Sequence, residues 1–292
     1  MKPKIILLIT ALTALTIANS FAQETGKGLY IKVNAGHSLF TPGSDALLGS
    51  TIFYYIPGSD SPGLNSNGQY GSGFYLGVGA QKDLGKLLSA GLDINYLNAK
   101  NLTASGEADY APPYKFNATG KLSFWTAVPN ISFKVYSASS YHIYTKLGLI
   151  LAFNTQYATK QTFAYQTVSQ TFNFDDHFKY GLNTGIQAAV GTQFNLTSRL
   201  KGFVELSNNF VSVSPKSLVS INHATDSNGN LQAIYDHQVT FIKSNSGTLT
   251  DSGSSSTNGN GVQINNSNST RREIYQHSNS TVLSVGVAFA IR

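Results

Sequence analysis

Eight segments of this chain alternate, residue by residue, between large apolar side chains and small or polar ones, and that pattern admits few folds. Successive side chains of a strand point to opposite faces, so each segment reads as a strand with one apolar face. The first sets Leu29, Ile31, Val33 and Ala35 against Tyr30, Lys32, Asn34 and Gly36. The second sets Phe74, Leu76, Val78 and Ala80 against Tyr75, Gly77, Gly79 and Gln81, and the third sets Leu88 through Tyr96 against Ser89, Gly91, Asp93 and Asn95. In the fourth, Trp125, Ala127, Pro129, Ile131, Phe133 and Val135 share a face, although Leu122 and Phe124 on the other are also apolar. Ile143 to Leu151, Leu182 to Val190, Gly202 to Leu206 and Leu283 to Ile291 repeat the alternation.

The second face separates the possible folds. A soluble sandwich solvates that face and fills it with Lys and Glu. Here it carries Gly, Ser, Asn, Gln and a few charges, as the crowded interior of a narrow barrel requires. Charged residues are only 12% of the chain, against roughly 25% in a soluble domain. The apolar face then meets lipid. No apolar run beyond the N-terminus is long enough for a spanning helix, and lipid tolerates strands only in a closed barrel. Tyr96, Trp125, Tyr141 and Phe289 fall near strand ends, where rings suit the interface.

Connection lengths set the topology. Strands two and three, four and five, and six and seven are joined by the short stretches 83–86, 137–140 and 195–198. The other connections, about 41–72, 98–120, 154–177 and 210–280, are long. Tight periplasmic turns and long extracellular loops give that rhythm, with both termini periplasmic. The expected fold is therefore all-β, a transmembrane antiparallel up-and-down barrel of eight strands. The alternative is ten, if a hairpin of Ser217 to His223 and Leu231 to Ile242, turning at Asn228-Gly229, joins the wall. The Ser/Asn/Gly/Thr tract Ser244 to Thr270 is expected to be mobile or disordered. In the 154–177 connection, Phe163, Tyr165 and Phe172 suggest that strands five and six continue beyond the membrane.

Lys2 and Lys4, the apolar run Ile5 to Ile17 and Ser20-Phe21-Ala22 form a signal-peptide pattern, so residues 1–22 are expected to be cleaved and 23–292 to form the barrel. Cysteine is absent, which excludes disulfides. The net charge of +6 falls to +4 without Lys2 and Lys4. That charge is mild and scattered, and Arg271-Arg272 is its only adjacent basic pair, so no nucleic-acid partner is expected.

Candidate chemistry is thin. His37-Ser38 and His277-Ser278 pair a base with a hydroxyl, but neighbours on a strand point apart and cannot converge. His223, Asp236 and His237 would approach one another if the hairpin forms, and Asp45 with Asp60 would make a poor calcium site. No catalytic, cofactor or metal residue is assigned, and no cofactor is expected. The informative residues are Lys32, Asp93, Lys146 and Glu205, which all project inward, from strands one, three, five and seven. Buried charges must be paired. They are expected to form a salt-bridged network that plugs the barrel, with Tyr30, Tyr75, Asn183 and Gln187 around it; the alternative is an ion or proton path.

The stretches 128–136 (VPNISFKVY), 144–148 (YTKLG), 181–185 (GLNTG) and the closing 286–292 (GVAFAIR) resemble the small eight-stranded outer-membrane barrels of the OmpA and OmpX type. Such barrels usually end on an aromatic residue, whereas this chain ends in Arg292 with Phe289 three places earlier. The resemblance implies a bacterial outer-membrane location, with outer-membrane lipid, lipopolysaccharide and the barrel-insertion machinery as partners. It also implies a non-enzymatic role, in envelope integrity or adhesion, through protein or surface contacts of the loops. The rival roles are a narrow conduit for small apolar molecules, a lipid-acting enzyme and an accessory subunit of a secretion or assembly complex. A conduit would need an apolar interior near the outer rim, against which the inward Gly, Gln and Asn residues argue.

Overall fold

The computed structural model describes residues 28–40, 65–67, 72–99, 102–108, 114–165, 170–242, 251–257, 263–272 and 276–291. The signal-peptide residues, Asp45, Asp60 and Arg292 lie outside them. Fifteen strands run through the described residues: β1 (Leu29–Phe40), β2 (Asn65–Asn67), β3 (Gly73–Asp83), β4 (Leu88–Ala99), β5 (Leu102–Ala108), β6 (Tyr114–Ser137), β7 (Tyr141–Tyr165), β8 (Gln170–Tyr180), β9 (Asn183–Asn195), β10 (Leu200–Val213), β11 (Pro215–Thr225), β12 (Leu231–Ile242), β13 (Asp251–Thr257), β14 (Gln263–Arg272) and β15 (Gln276–Ile291).

Eight of them close a barrel. Going round, β1, β3, β4, β6, β7, β9, β10 and β15 are each antiparallel to the next, and β15 returns to β1. Closure leaves no open edge in this ring. All eight alternating segments lie in these strands. Their register aligns the outward residues in rows, one of which runs Leu76, Ala35, Val285, Val204, Thr192, Ile143 across six strands. The short turns span 84–87, 138–140 and 196–199, tied by Leu84 N to Leu88 O, Ala138 N to Tyr141 O and Leu196 N to Leu200 O. Both ends of the described chain, Leu29 and Ile291, are paired at that same end of the barrel.

At the other end the wall does not stop. β6 and β7 overrun the ring and pair from Tyr114–Tyr165 down to Ser123–Gln156. β5 and then β2 add to the free side of β6. β8, β11, β12, β14 and β13 add in that order beyond β7. These strands form an open outer tier above the barrel. Only residues 181–182 separate β8 from β9 and only Ser214 separates β10 from β11, so the tier continues the wall strands.

A single irregularity reorients β7 between the two levels. Ile150 and Ala152 are buried, and then Thr155, Tyr157, Thr159, Gln161 and Phe163 are, so the inward parity switches. At the switch Asn154 has a φ of 49°, and the ladder with β6 jumps between Ser123 and Trp125. An extra residue in a bulge exchanges the faces of everything beyond it. β6 keeps its parity through this level, where Leu122, Phe124, Thr126, Val128, Asn130 and Ser132 are all buried. Leu122 and Phe124 therefore face inward, and Trp125 to Val135 face outward.

The loop-four hairpin forms, with β11 and β12 paired from Ser217–Thr240 to Thr225–Leu231. Asp226 caps its turn, accepting bonds from the Asn228 and Asn230 amides at 2.9 Å each. The hairpin docks on β8 in the tier instead of entering the ring, so the barrel keeps eight strands. Gly229 turns the corner with a φ of +81°, a region costly for residues with a Cβ. Gly229→Ala is expected to destabilise the hairpin by about 1 kcal/mol, read as faster proteolytic nicking at this turn with the barrel intact.

The tract Ser244 to Thr270 is not simply a mobile loop, as its composition suggested. β13 and most of β14 lie within it, and β14 runs parallel to β12 from Ala233–Gln263 to Ile242–Arg272. Ladder hydrogen bonds are made by the backbone, so a Ser/Asn tract can extend a sheet whose edge is already ordered.

Candidate functional site

The lumen is layered, because each inward row of the tilted wall contributes its own chemistry. Nearest the short turns, Asp83 accepts a bond from the Ser89 hydroxyl at 2.6 Å and pairs with Lys134 at 3.2 Å. Lys201 stands over the Tyr30 ring, 3.9 Å from its centre.

The next layer brings Lys32, Asp93, Lys146 and Glu205 together. Lys32 Nζ lies 2.7 Å from Asp93 Oδ1, Lys146 Nζ lies 3.3 Å from Asp93 Oδ2, and the same ammonium bonds Glu205 Oε1. Asn130 Nδ2 donates to Asp93 at 3.0 Å, and the Tyr144 hydroxyl donates to Glu205 at 2.9 Å. All four charged residues are under a tenth exposed. Two lysines against two carboxylates leave the layer neutral, which reduces the cost of burying it. Inward glycines make the space: a Cβ at Gly79 would fall on Asp93 Oδ1, and one at Gly191 on the Tyr144 ring.

The four residues proposed to surround the network are at different heights. Tyr30 lies below it, against Lys201. Gln187 is turned to Asn209, 2.8 Å away, and Asn183 accepts from the Ser214 amide at 3.1 Å. The groups that do bond the network are Tyr144 and Asn130. Tyr144 was legible as an inward residue, but which charge it meets depends on stagger around the ring. Asn130 was hidden because its segment has apolar residues on both faces.

Above the charges the lumen becomes apolar. Tyr75, Leu97, Phe124, Val128, Ile150, Val211 and Val282 are all buried there, beside Thr126, Gln187, Asn209 and Ser280. The cavity left between them measures about 20 Å³, room for about one water. This overturns the expectation that inward Gly, Gln and Asn keep the interior near the outer rim polar. Gln187 and Asn209 line the same cavity as apolar side chains from β4, β6, β7, β10 and β15, and Asn183 stands at the rim beside Ser214.

The other candidates do not assemble. His37 is exposed on the outer wall and Ser38 is buried inside it. His277 stands opposite Ser212 in the ladder. On the outer tier His237 pairs across from Ser220 and bonds Ser267, whereas Asp236 and His223 lie on the opposite face, across from Ile221 and Ile234. Among the described residues no three His, Cys, Asp or Glu side chains gather as they would around a metal ion.

No family model matches the sequence, and no curated protein matches it. Among solved structures the fold is similar to the crystal structure of the outer membrane protein OprG from Pseudomonas aeruginosa, with 10% sequence identity, a TM-score of 0.41, and 91% of this chain and 96% of that chain covered.

Proposed function

We propose that this chain is a non-enzymatic outer-membrane barrel whose lumen is stoppered and whose outer tier makes contacts at the cell surface. The exposed wall supports insertion in lipid. Val78, Leu147, Leu149, Ile186, Val285 and Phe289 are each between 49% and 62% exposed, an arrangement water would penalise and hydrocarbon would not. Rings border this belt: Tyr96 packs on Trp125 at 4.9 Å on one side, and Tyr141 lies near Tyr136 and Phe194 on the other. From Trp125 to Tyr136 the wall rises about 28 Å, at roughly 3.3 Å per residue and a tilt near 40°, close to the apolar band of such barrels. Outer-membrane lipid and lipopolysaccharide would surround it, and the barrel-insertion machinery would receive it with its termini in the periplasm.

The observation that carries the surface role is the tier itself, an ordered sheet continuing the wall beyond the belt. A protein or surface ligand, or a larger secretion or assembly complex, would meet this face. The test compares the full protein with a variant whose 215–242 hairpin is replaced by a short Gly/Ser linker. Both are expected to show heat-modifiable gel mobility, while only the full protein retains cell-surface attachment or its co-purifying partner. Undiminished attachment by the linker variant, with its barrel intact, would count against the tier.

One observation favours a second reading, a narrow path for small apolar molecules: the apolar upper lumen. Vesicles containing the protein would then take up an apolar fluorescent solute, and Phe124→Ala would speed that uptake by widening the layer. The stoppered reading expects neither, and expects no ion conductance across planar bilayers.

A further inference from the structure

Five oxygen-bearing side chains gather on the buried face of the outer tier, away from the lumen charges. Thr159 on β7, Asp176 on β8 and Ser220 on β11 stand side by side in the ladder. Gln161 and Asn222 are two places further along β7 and β11, on the same face. Asp176 is 2% exposed, and none of the other four exceeds 6%. Asp176 Oδ2 accepts from Thr159 at 3.1 Å and Gln161 at 2.9 Å, and Ser220 donates to Asn222 Oδ1 at 2.8 Å.

The charge of this group is not balanced. In the lumen Asp93 and Glu205 each bond a lysine, but among the described residues Asp176 has no cation within 4.0 Å and its Oδ1 is buried without a hydrogen-bond partner. Lys160 and His177, which pair with Asp175, lie on the opposite face of the sheet, and His237, across from Ser220 on the same face, bonds Ser267. Burial accordingly pushes the Asp176 carboxyl above the ordinary aspartate value.

We propose that Asp176, Thr159, Gln161, Ser220 and Asn222 form a binding site for a hard cation of the calcium class. Such ions take oxygen ligands from carboxylates, amide carbonyls and hydroxyls, and one carboxylate among neutral oxygens suits the weak affinities of extracellular sites, roughly 10⁻⁴–10⁻³ M. Gln161 can contribute its carbonyl oxygen by turning its amide, and Asp176 Oδ1 is uncommitted. The ion would supply the missing positive charge and join three strands of the tier, β7, β8 and β11.

The test uses the full protein in detergent micelles, stripped with a chelator and titrated with terbium, whose luminescence is sensitised by nearby tyrosines such as Tyr157 and Tyr235. Saturable luminescence, displaced by calcium and reduced at least tenfold in affinity by Asp176→Asn, is the expected result. Calcium should also protect the tier from proteolysis in the wild type and not in that variant. Ser220→Ala, which keeps the carboxylate, should weaken binding several-fold and serves if Asp176→Asn fails to fold. Absence of saturable binding by the wild type would overturn the proposal. So would equal affinity in Asp176→Asn, or a metal-free Asp176→Asn that is more protease-resistant while calcium does nothing to the wild type; the last pattern identifies a buried, protonated acid.

Discussion

Replacing Lys146 by Met lowers the unfolding free energy of the barrel by about 3–5 kcal/mol, the usual cost of stranding a buried charge. Lys146 is the shared cation of the lumen, bonded to Asp93 and Glu205 together. Without it Asp93 keeps Lys32, but among the described residues Glu205 keeps only the neutral Tyr144 hydroxyl. The consequence is specific to pairing and can be separated from lost packing. Lys146→Met combined with Glu205→Gln removes both charges and should recover about 1–3 kcal/mol of the loss. Urea unfolding in lipid vesicles, read by tyrosine fluorescence and gel mobility, measures both variants. An additive double mutant would show that the four charges are not a coupled network. If the charges instead served as an ion path, Lys146→Met would change conductance with little loss of stability.

The second large effect concerns the outside of the wall. Leu149 is 49% exposed, and in a soluble protein Leu149→Arg would fall within about 0.5 kcal/mol of neutral. In a bilayer it should cost about 2–4 kcal/mol, because an arginine near the midplane must be hydrated through lipid. Val135→Arg, next to Tyr136 at the ring-bordered edge of the belt, should cost only about 0–1 kcal/mol. The depth dependence is the diagnostic feature. Equal, near-zero effects at both positions would contradict a lipid-facing wall.

The barrel was legible in the sequence because its pattern is strictly local. A residue's face depends only on its parity along the strand, so Lys32, Asp93, Lys146 and Glu205 could be set inside from alternation alone. Even the weakest segment, Gly202 to Leu206, obeys it, with Val204 out and Glu205 in. Parity fails where the ladder is interrupted. The bulge at Asn154 reverses β7, and the buried residues beyond it, Tyr157, Thr159 and Gln161, could not be assigned a face from the membrane segment. Leu122 and Phe124 were ambiguous for a different reason: both faces are apolar there, so alternation carries no signal.

Alternation along eight strands, together with low charge and short turns at every second connection, determined the closed barrel and its inward residues, since pleat and closure follow from backbone geometry. The tertiary structure decided everything that depends on neighbours distant in sequence. Stagger around the ring selected Tyr144 and Asn130 as the partners of the charges, and placed apolar side chains from five strands over them. Partner availability decided that β11 and β12 dock on β8 instead of entering the wall, and that a Ser/Asn tract forms strands. Hydrogen-bonded pairing is a property of two segments, and neither segment specifies it alone.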